Sequence, residues 1–169
     1  LSIRRQRQMC IRDRASPTSD EGFETKAQPH GVLSMPFNPL LVAVAMHVGF
    51  VARSFTGAKG HLSGLLGKAI KHSGISLIDV LQPCVSFNKV NSFAWYKKRC
   101  YELPEDYDPT KWETAMVKAN EWEEKIPIGI IYKGTRKSFS EHLSDSIKKG
   151  LMGKPIDDKA FQKIIDSYK

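Results

Sequence analysis

Residues 48–81 read VGFVARSFTGAKGHLSGLLGKAIKHSGISLIDVL. Val48 to Ser54 has the character of a short buried strand. Thr56 can cap a helix running from about Ala58 to His72. Leu62, Leu65, Leu66, Ala69 and Ile70 form its apolar stripe, and Gly74 ends it. Ile75 to Leu81 is a second strand, apolar at nearly every position, as expected of a strand covered on both faces. Strand, helix and strand in this order make one βαβ unit, so the two strands should run parallel with a right-handed crossover.

Upstream, Asn38 can cap a helix with Pro39 in its first turn, continuing through Leu40, Leu41, Val44 and Ala45 to about His47. It is apolar on most faces and should be buried. Residues 15–39, ASPTSDEGFETKAQPHGVLSMPFNP, have no period and read as a long irregular connection punctuated by prolines. Downstream, a helix-like stretch lies near Ser92 to Tyr101. Asp108 and Pro109 open a long helix, roughly Thr110 to Lys125, with Trp112, Met116, Ala119 and Trp122 on one side. Ile128 to Tyr132 reads as a third short strand. Residues 136–169 form a polar extension with a final helix near Asp157 to Tyr168. The pattern implies an α/β fold: a short, mostly parallel sheet with helices on both faces.

The chain has 169 residues, 41% hydrophobic and 26% charged, which is the composition of one globular domain. Its longest apolar run, Leu40 to Met46, is far short of the about 20 residues of a membrane-spanning helix. Three widely spaced cysteines exclude a disulfide scaffold and a self-contained four-thiolate site. The net charge of +8 would suit a nucleic-acid partner, but it is unevenly placed. Residues 1–14, LSIRRQRQMCIRDR, hold five arginines and one aspartate; taking these from the totals of 26 basic and 18 acidic residues leaves 21 and 17. This tail resembles translated sequencing adapter more than evolved protein and is read as non-native, the alternative being a solvated basic arm. Neither a nucleic-acid nor a membrane partner is expected.

Cys84 is the most informative chemical group. It follows the end of a buried parallel strand by three residues, where ligands sit in open α/β sheets. Pro83 stiffens the loop, and Ser86 and Asn88 can hydrogen-bond around it. A thiolate held this way suits an iron–sulfur ligand or a nucleophile; a small buried hydrophobe is the alternative. A nucleophile would need a histidine base. His47 reads as a core residue, His61 and His72 as surface residues of the second helix, and His30 lies on the long loop. Gly57, Gly60, Gly64 and Gly67 match neither a Walker nor a dinucleotide loop and are read as close helix-to-sheet packing. Asp79 interrupts the second strand and would be costly there unless paired. The basic clusters Lys97–Arg99 and Lys133–Lys137 read as solvated, or as steering charges for an acidic electron carrier.

The run SLIDVLQPCVSFN, followed by NSFAWYKKRCYEL, resembles the beta subunit of 2-oxoacid:ferredoxin oxidoreductases. The likeness extends upstream through ASPTS, ETKAQPHG and FNPLLVAVAMHVGFVARSF, and downstream to KIPIGIIY, covering residues 15–135. It implies a thiamine-diphosphate-binding domain that pairs with an alpha subunit. It also implies oxidative decarboxylation of a 2-oxoacid, electron transfer through a 4Fe–4S cluster to ferredoxin, and acyl transfer to coenzyme A, in the cytoplasm. The cysteine of the family's QPC motif, one of four cluster ligands, falls on Cys84. Ser16, Pro17 and Thr18 fall near the thiamine site. The other three ligand cysteines and the Gly-Asp-Gly-Asp motif for diphosphate and Mg2+ are not in this sequence. The resemblance therefore implies a carboxyl-terminal part that alone is inactive and holds neither cofactor. Alternatives from other classes are a basic binding module and a cysteine-nucleophile transferase.

Overall fold

The computed structural model describes residues 18–24, 28–84, 88–142 and 157–168. These fall into two units that part between Arg136 and Lys137. In the first, helix α1 (Pro39–Ala45) starts at Asn38, whose side chain accepts from the Leu41 N–H at 3.0 Å and donates to the Ala119 carbonyl at 2.9 Å. Leu40, Ala43 and Val44 are its buried face. His47 follows in the left-handed region, at φ 53°. It is exposed, not in the core as expected, and is held by stacking on Trp112 and a 3.2 Å hydrogen bond with the Tyr132 hydroxyl.

Strand β1 (Phe50–Phe55) is buried along its whole length. Helix α2 (Lys59–Lys71) leads to strand β2 (Ser76–Leu81), which pairs with β1 in parallel from Phe50↔Ser76 to Phe55↔Leu81. The expected βαβ unit is therefore present. Thr56 does not cap α2: its N–H bonds the Leu81 carbonyl at 3.1 Å, extending the ladder, and the helix begins after Ala58 without a side-chain cap.

The remaining elements are helix α3 (Phe93–Arg99), strand β3 (Cys100–Glu102), helix α4 (Trp112–Asn120) and strand β4 (Ile126–Lys133). Ser92 caps α3. The sheet order is β2-β1-β4-β3. β3 and β4 are parallel to each other, and β4 runs antiparallel to β1 with a register shift between Val51 and Ala52. The sheet thus joins two parallel pairs back to back. β3 is not expected from the sequence, whose pattern puts Cys100 and Tyr101 at the end of a helix; alignment with Ile126 and Pro127 draws them into the sheet. α4 ends at Asn120, earlier than expected.

Helices cover both faces, as expected. Phe50 and Ala52 pack with Leu65 and Ala69 of α2. Val51 and Ile131 pack with Leu40 and Val44 of α1 and with Ala115 and Ala119 of α4. Trp95 and Tyr96 of α3 pack on a third cluster, Phe55, Leu81 and Ile126. The glycines of α2 do not mediate helix-to-sheet packing: a Cβ at Gly60, Gly64 or Gly67 would meet nothing within 4 Å. Leu65 makes that contact instead, and only Gly57, before the helix, is closely packed. β2 also departs from expectation. It is the edge strand among the described residues and is only half-buried over most of its length.

In the second unit, Phe139–His142 forms a single turn of helix (α5), and Asp158–Asp166 forms helix α6, capped by Asp157.

Candidate functional site

The carboxyl ends of β1 and β2 lie side by side at Phe55 and Leu81. The antiparallel β4 brings its first residue, Ile126, to the same end, and β3 sets Cys100 opposite Ile126. Both described cysteines thus lie at the same end of the strands, but at opposite outer strands of the four-stranded order. Cys84 stands three residues beyond β2 and is 9% exposed. Its carbonyl accepts from the Asn88 N–H at 3.2 Å. Asn88 in turn accepts from the Val90 and Asn91 N–H groups, each at 2.9 Å, and donates to the Asn91 side chain at 2.8 Å. Asn88 hydrogen-bonds on both sides of this stretch, as expected; Ser86 lies outside the described residues.

Cys100 is half-buried. Burial pushes its thiol up to about 11, against the opposing charge of Arg53, so it is protonated at neutral pH. Tyr96 beside it is raised to about 12, by burial first and by Asp79 next. A hollow of about 280 Å³ beside Cys100 is lined by Phe55, Gly57, Phe93, Lys97 and Glu102, among others.

Arg53 underlies this end of the sheet, and the sequence reading misses it. It is the largest fully buried side chain among the described residues. Its Nε donates to Asp79 Oδ2 at 3.0 Å, its Nη1 reaches the Glu121 carbonyl at 3.5 Å, and its guanidinium lies 5.2 Å from the Trp122 ring. Asp79 is therefore paired, as a carboxylate within a strand must be.

The histidines have other settings. His61 and His72 are half-buried, not on the surface as expected. His61 Nδ1 lies 2.9 Å from the Ser54 hydroxyl, and His72 packs on Phe50. His30 is exposed. Among the basic clusters, Lys97, Lys98, Lys133, Arg136 and Lys137 are exposed, but Arg99 lies 4.3 Å over the Trp95 ring and 3.6 Å from Glu124. Thr18 is exposed; Ser16, Pro17 and the tail 1–14 lie outside the described residues.

Residues 84–148 match the family model for the C-terminal region of the pyruvate ferredoxin oxidoreductase beta chain, so the match begins at Cys84 itself. The chain is a homologue of 2-oxoacid:ferredoxin oxidoreductase beta subunits. The beta subunit from Saccharolobus solfataricus is 38% identical over 130 residues, which is 70% of this chain and 43% of that protein. Subunit beta of 2-oxoacid:ferredoxin oxidoreductase 2 from Aeropyrum pernix is 35% identical over 158 residues, 83% of this chain and 49% of that protein. A solved 2-oxoglutarate:ferredoxin oxidoreductase from Magnetococcus marinus, with 2-oxoglutarate, coenzyme A and succinyl-CoA bound, superposes with a TM-score of 0.75 at 26% identity. That match covers 88% of this chain and 51% of the other. The chain thus spans about half the length of the relatives it matches. The oxidoreductase resemblance is borne out, and neither the basic module nor the transferase is supported by these relatives.

Among the described residues, no three His, Cys, Asp or Glu side chains converge on a metal position. By themselves these residues do not fit a 4Fe–4S cluster, which takes four ligands. No helix among them is long and apolar enough to cross a membrane.

Proposed function

We propose that this chain is the carboxyl-terminal part of the beta subunit of a cytoplasmic 2-oxoacid:ferredoxin oxidoreductase. The whole enzyme, completed by an alpha subunit, would decarboxylate a 2-oxoacid with thiamine diphosphate and Mg2+. The acyl group would pass to coenzyme A and the electrons, through a 4Fe–4S cluster, to ferredoxin. In this reading Cys84 supplies one cluster ligand and the rest of the subunit supplies the other three. Residues 16–18 lie along the approach to the thiamine site and contribute no catalytic group.

The observation that carries the reading is the setting of Cys84. It stands beyond the carboxyl end of a parallel strand, its carbonyl bonded by the Asn88 N–H, at the residue where the family match begins. Lys97 and Lys98, exposed on α3, offer positive charge to an acidic carrier such as ferredoxin.

The test is Cys84→Ser in the complete subunit assembled with its alpha partner. Iron content and the electron paramagnetic resonance of the reduced cluster should be lost or altered, and 2-oxoacid-dependent ferredoxin reduction should fall with them. Iron, spectrum and ferredoxin reduction all matching the parent enzyme would overturn the assignment.

A further inference from the structure

The two basic clusters that could steer an acidic carrier lie at opposite ends of the sheet. β1 and β2 end together at Phe55 and Leu81, and Cys84 follows just beyond. Lys133, the last residue of β4, pairs with Phe50, the first of β1. Its cluster therefore starts at the other end, a strand length of about 17–20 Å away. α3 carries the second cluster and crosses the carboxyl end. Its first residue, Phe93, packs on Phe55 with ring centroids 5.0 Å apart, and Cys100, just after its last, pairs with Ile126.

The stretch from β2 through α3 carries charge of one sign. Residues 80–101 hold four basic residues, Lys89, Lys97, Lys98 and Arg99, and no acidic one. Residues 102–108 hold four acidic residues and no basic one. Arg99 is engaged by Trp95 and Glu124. Lys89, Lys97 and Lys98 are exposed and enter no ion pair among the described residues. In sequence between Lys89 and Lys97 lie Val90, 65% exposed, and Phe93, 50% exposed. Phe93 and Lys97, one helical turn apart, both line the hollow of about 280 Å³ beside Cys100, which Glu102 also lines. Exposed apolar residues flanked by charges of one sign have the make-up of a small, electrostatically steered interface.

We propose that Lys89, Val90, Phe93, Lys97 and Lys98 form the docking face for an acidic electron carrier, which the names of the relatives give as ferredoxin. Carboxylates of the carrier meet the three lysines, and an apolar patch on it covers Val90 and Phe93. The inference rests on the functional reading above and deepens it, because Cys84 is what makes this end of the sheet the place for a carrier. Hydrogen bonds tie the two together. Asn88 donates its N–H to the Cys84 carbonyl at 3.2 Å, and its side chain accepts from the Val90 N–H at 2.9 Å. A nucleic acid fits less well, since the acidic residues 102–108 that follow would repel its phosphates.

The test measures the dissociation constant of oxidised ferredoxin for the complete enzyme by calorimetry, a readout that needs no turnover. Lys97→Glu/Lys98→Glu should weaken binding at least about 10-fold at low salt, and the difference should shrink as salt is added. Val90→Ser should weaken it by about 5-fold at low and high salt alike. Lys133→Glu, at the far end of the sheet, should leave it unchanged. Parent-like binding by the double variant overturns the proposal, as does no binding by the parent. Equal weakening by Lys133→Glu also overturns it, since the attraction is then general. Release of the alpha subunit from the double variant overturns it as well, because the face then belongs to that subunit. Lysine-dependent binding in an enzyme whose iron and spectrum survive Cys84→Ser upholds the docking face and rejects the cluster assignment instead.

Discussion

Arg53 and Asp79 are direct partners in the parallel β1–β2 register, and their side chains meet at 3.0 Å. The pair is unequal: the Arg53 side chain is 2% exposed and that of Asp79 23%. Removing the carboxylate leaves a buried guanidinium that, among the described residues, keeps a carbonyl and an indole ring for company. Removing the arginine leaves a carboxylate that water can reach.

Asp79→Ala should therefore destabilise the chain by about 3–5 kcal/mol, the range for stranding one member of a buried pair. Arg53→Met should cost less, about 1–2 kcal/mol, because the thioether keeps much of the packing against Trp122. Urea unfolding of the two variants and of the double variant Arg53→Met/Asp79→Leu checks this. The double variant should recover most of the loss. An Arg53→Met cost equal to that of Asp79→Ala would contradict the account.

The glycines of the β1–α2 segment divide into two groups. A side chain at Gly57 would run into the rings of Phe55 and Phe93, so Gly57→Ala should destabilise by about 1–3 kcal/mol. Gly60, Gly64 and Gly67 lie in α2 with open space around them, and each change to Ala should stabilise by about 0.5–1 kcal/mol. Thermal melts of the four single variants give the signs directly.

Patterns confined to one element are legible in the sequence. Asn38 before Pro39 caps α1, and β1, α2 and β2 form the βαβ unit. Relations set by tertiary pairing are not. β3 exists because Cys100 and Tyr101 align with β4, and α4 stops short of its expected end. Asp79 stands out in the sequence as an interruption, but its partner does not. A boundary one residue off hides it: the sequence pattern ends the first strand at Ser54, whereas β1 ends at Phe55, and only the alignment of Phe55 with Leu81 pairs Arg53 with Asp79. The site is legible only through Cys84 and its family resemblance, since one thiol at a strand end does not itself name a cofactor.

Tyr101, Lys118 and Glu121 form a closed network. Tyr101 donates to Glu121 at 2.5 Å, and Lys118 donates to both, at 2.6 Å to Glu121 and 3.0 Å to Tyr101. Burial works against ionised Glu121, but its hydrogen bonds from Lys118 and Tyr101 hold the carboxyl below its ordinary 4.5. A depressed carboxylate contributes stability above its unfolded value and loses it as pH falls through the folded value. The chain should lose stability below about pH 4.5, and Glu121→Gln should flatten that part of the profile. Denaturant unfolding between about pH 3 and 7 measures it. An identical acid limb in the variant would remove the network from the explanation.

Cys100 offers a chemical test of the sheet end that needs no cofactor. Burial raises its thiol from 9.0 to about 11, which lowers the thiolate fraction at pH 8 by about 100-fold. Iodoacetamide at about pH 8 should alkylate Cys100 more slowly than an unstructured cysteine peptide by at least that factor, since burial also limits access. Arg53 opposes the rise, so Arg53→Met should slow the reaction further, provided unfolding measurements show the variant still folded. Mass-spectrometric rates for the Cys100 peptide decide the point. Alkylation as fast as in the free peptide would mean that β3 does not hold Cys100 against Ile126 in solution.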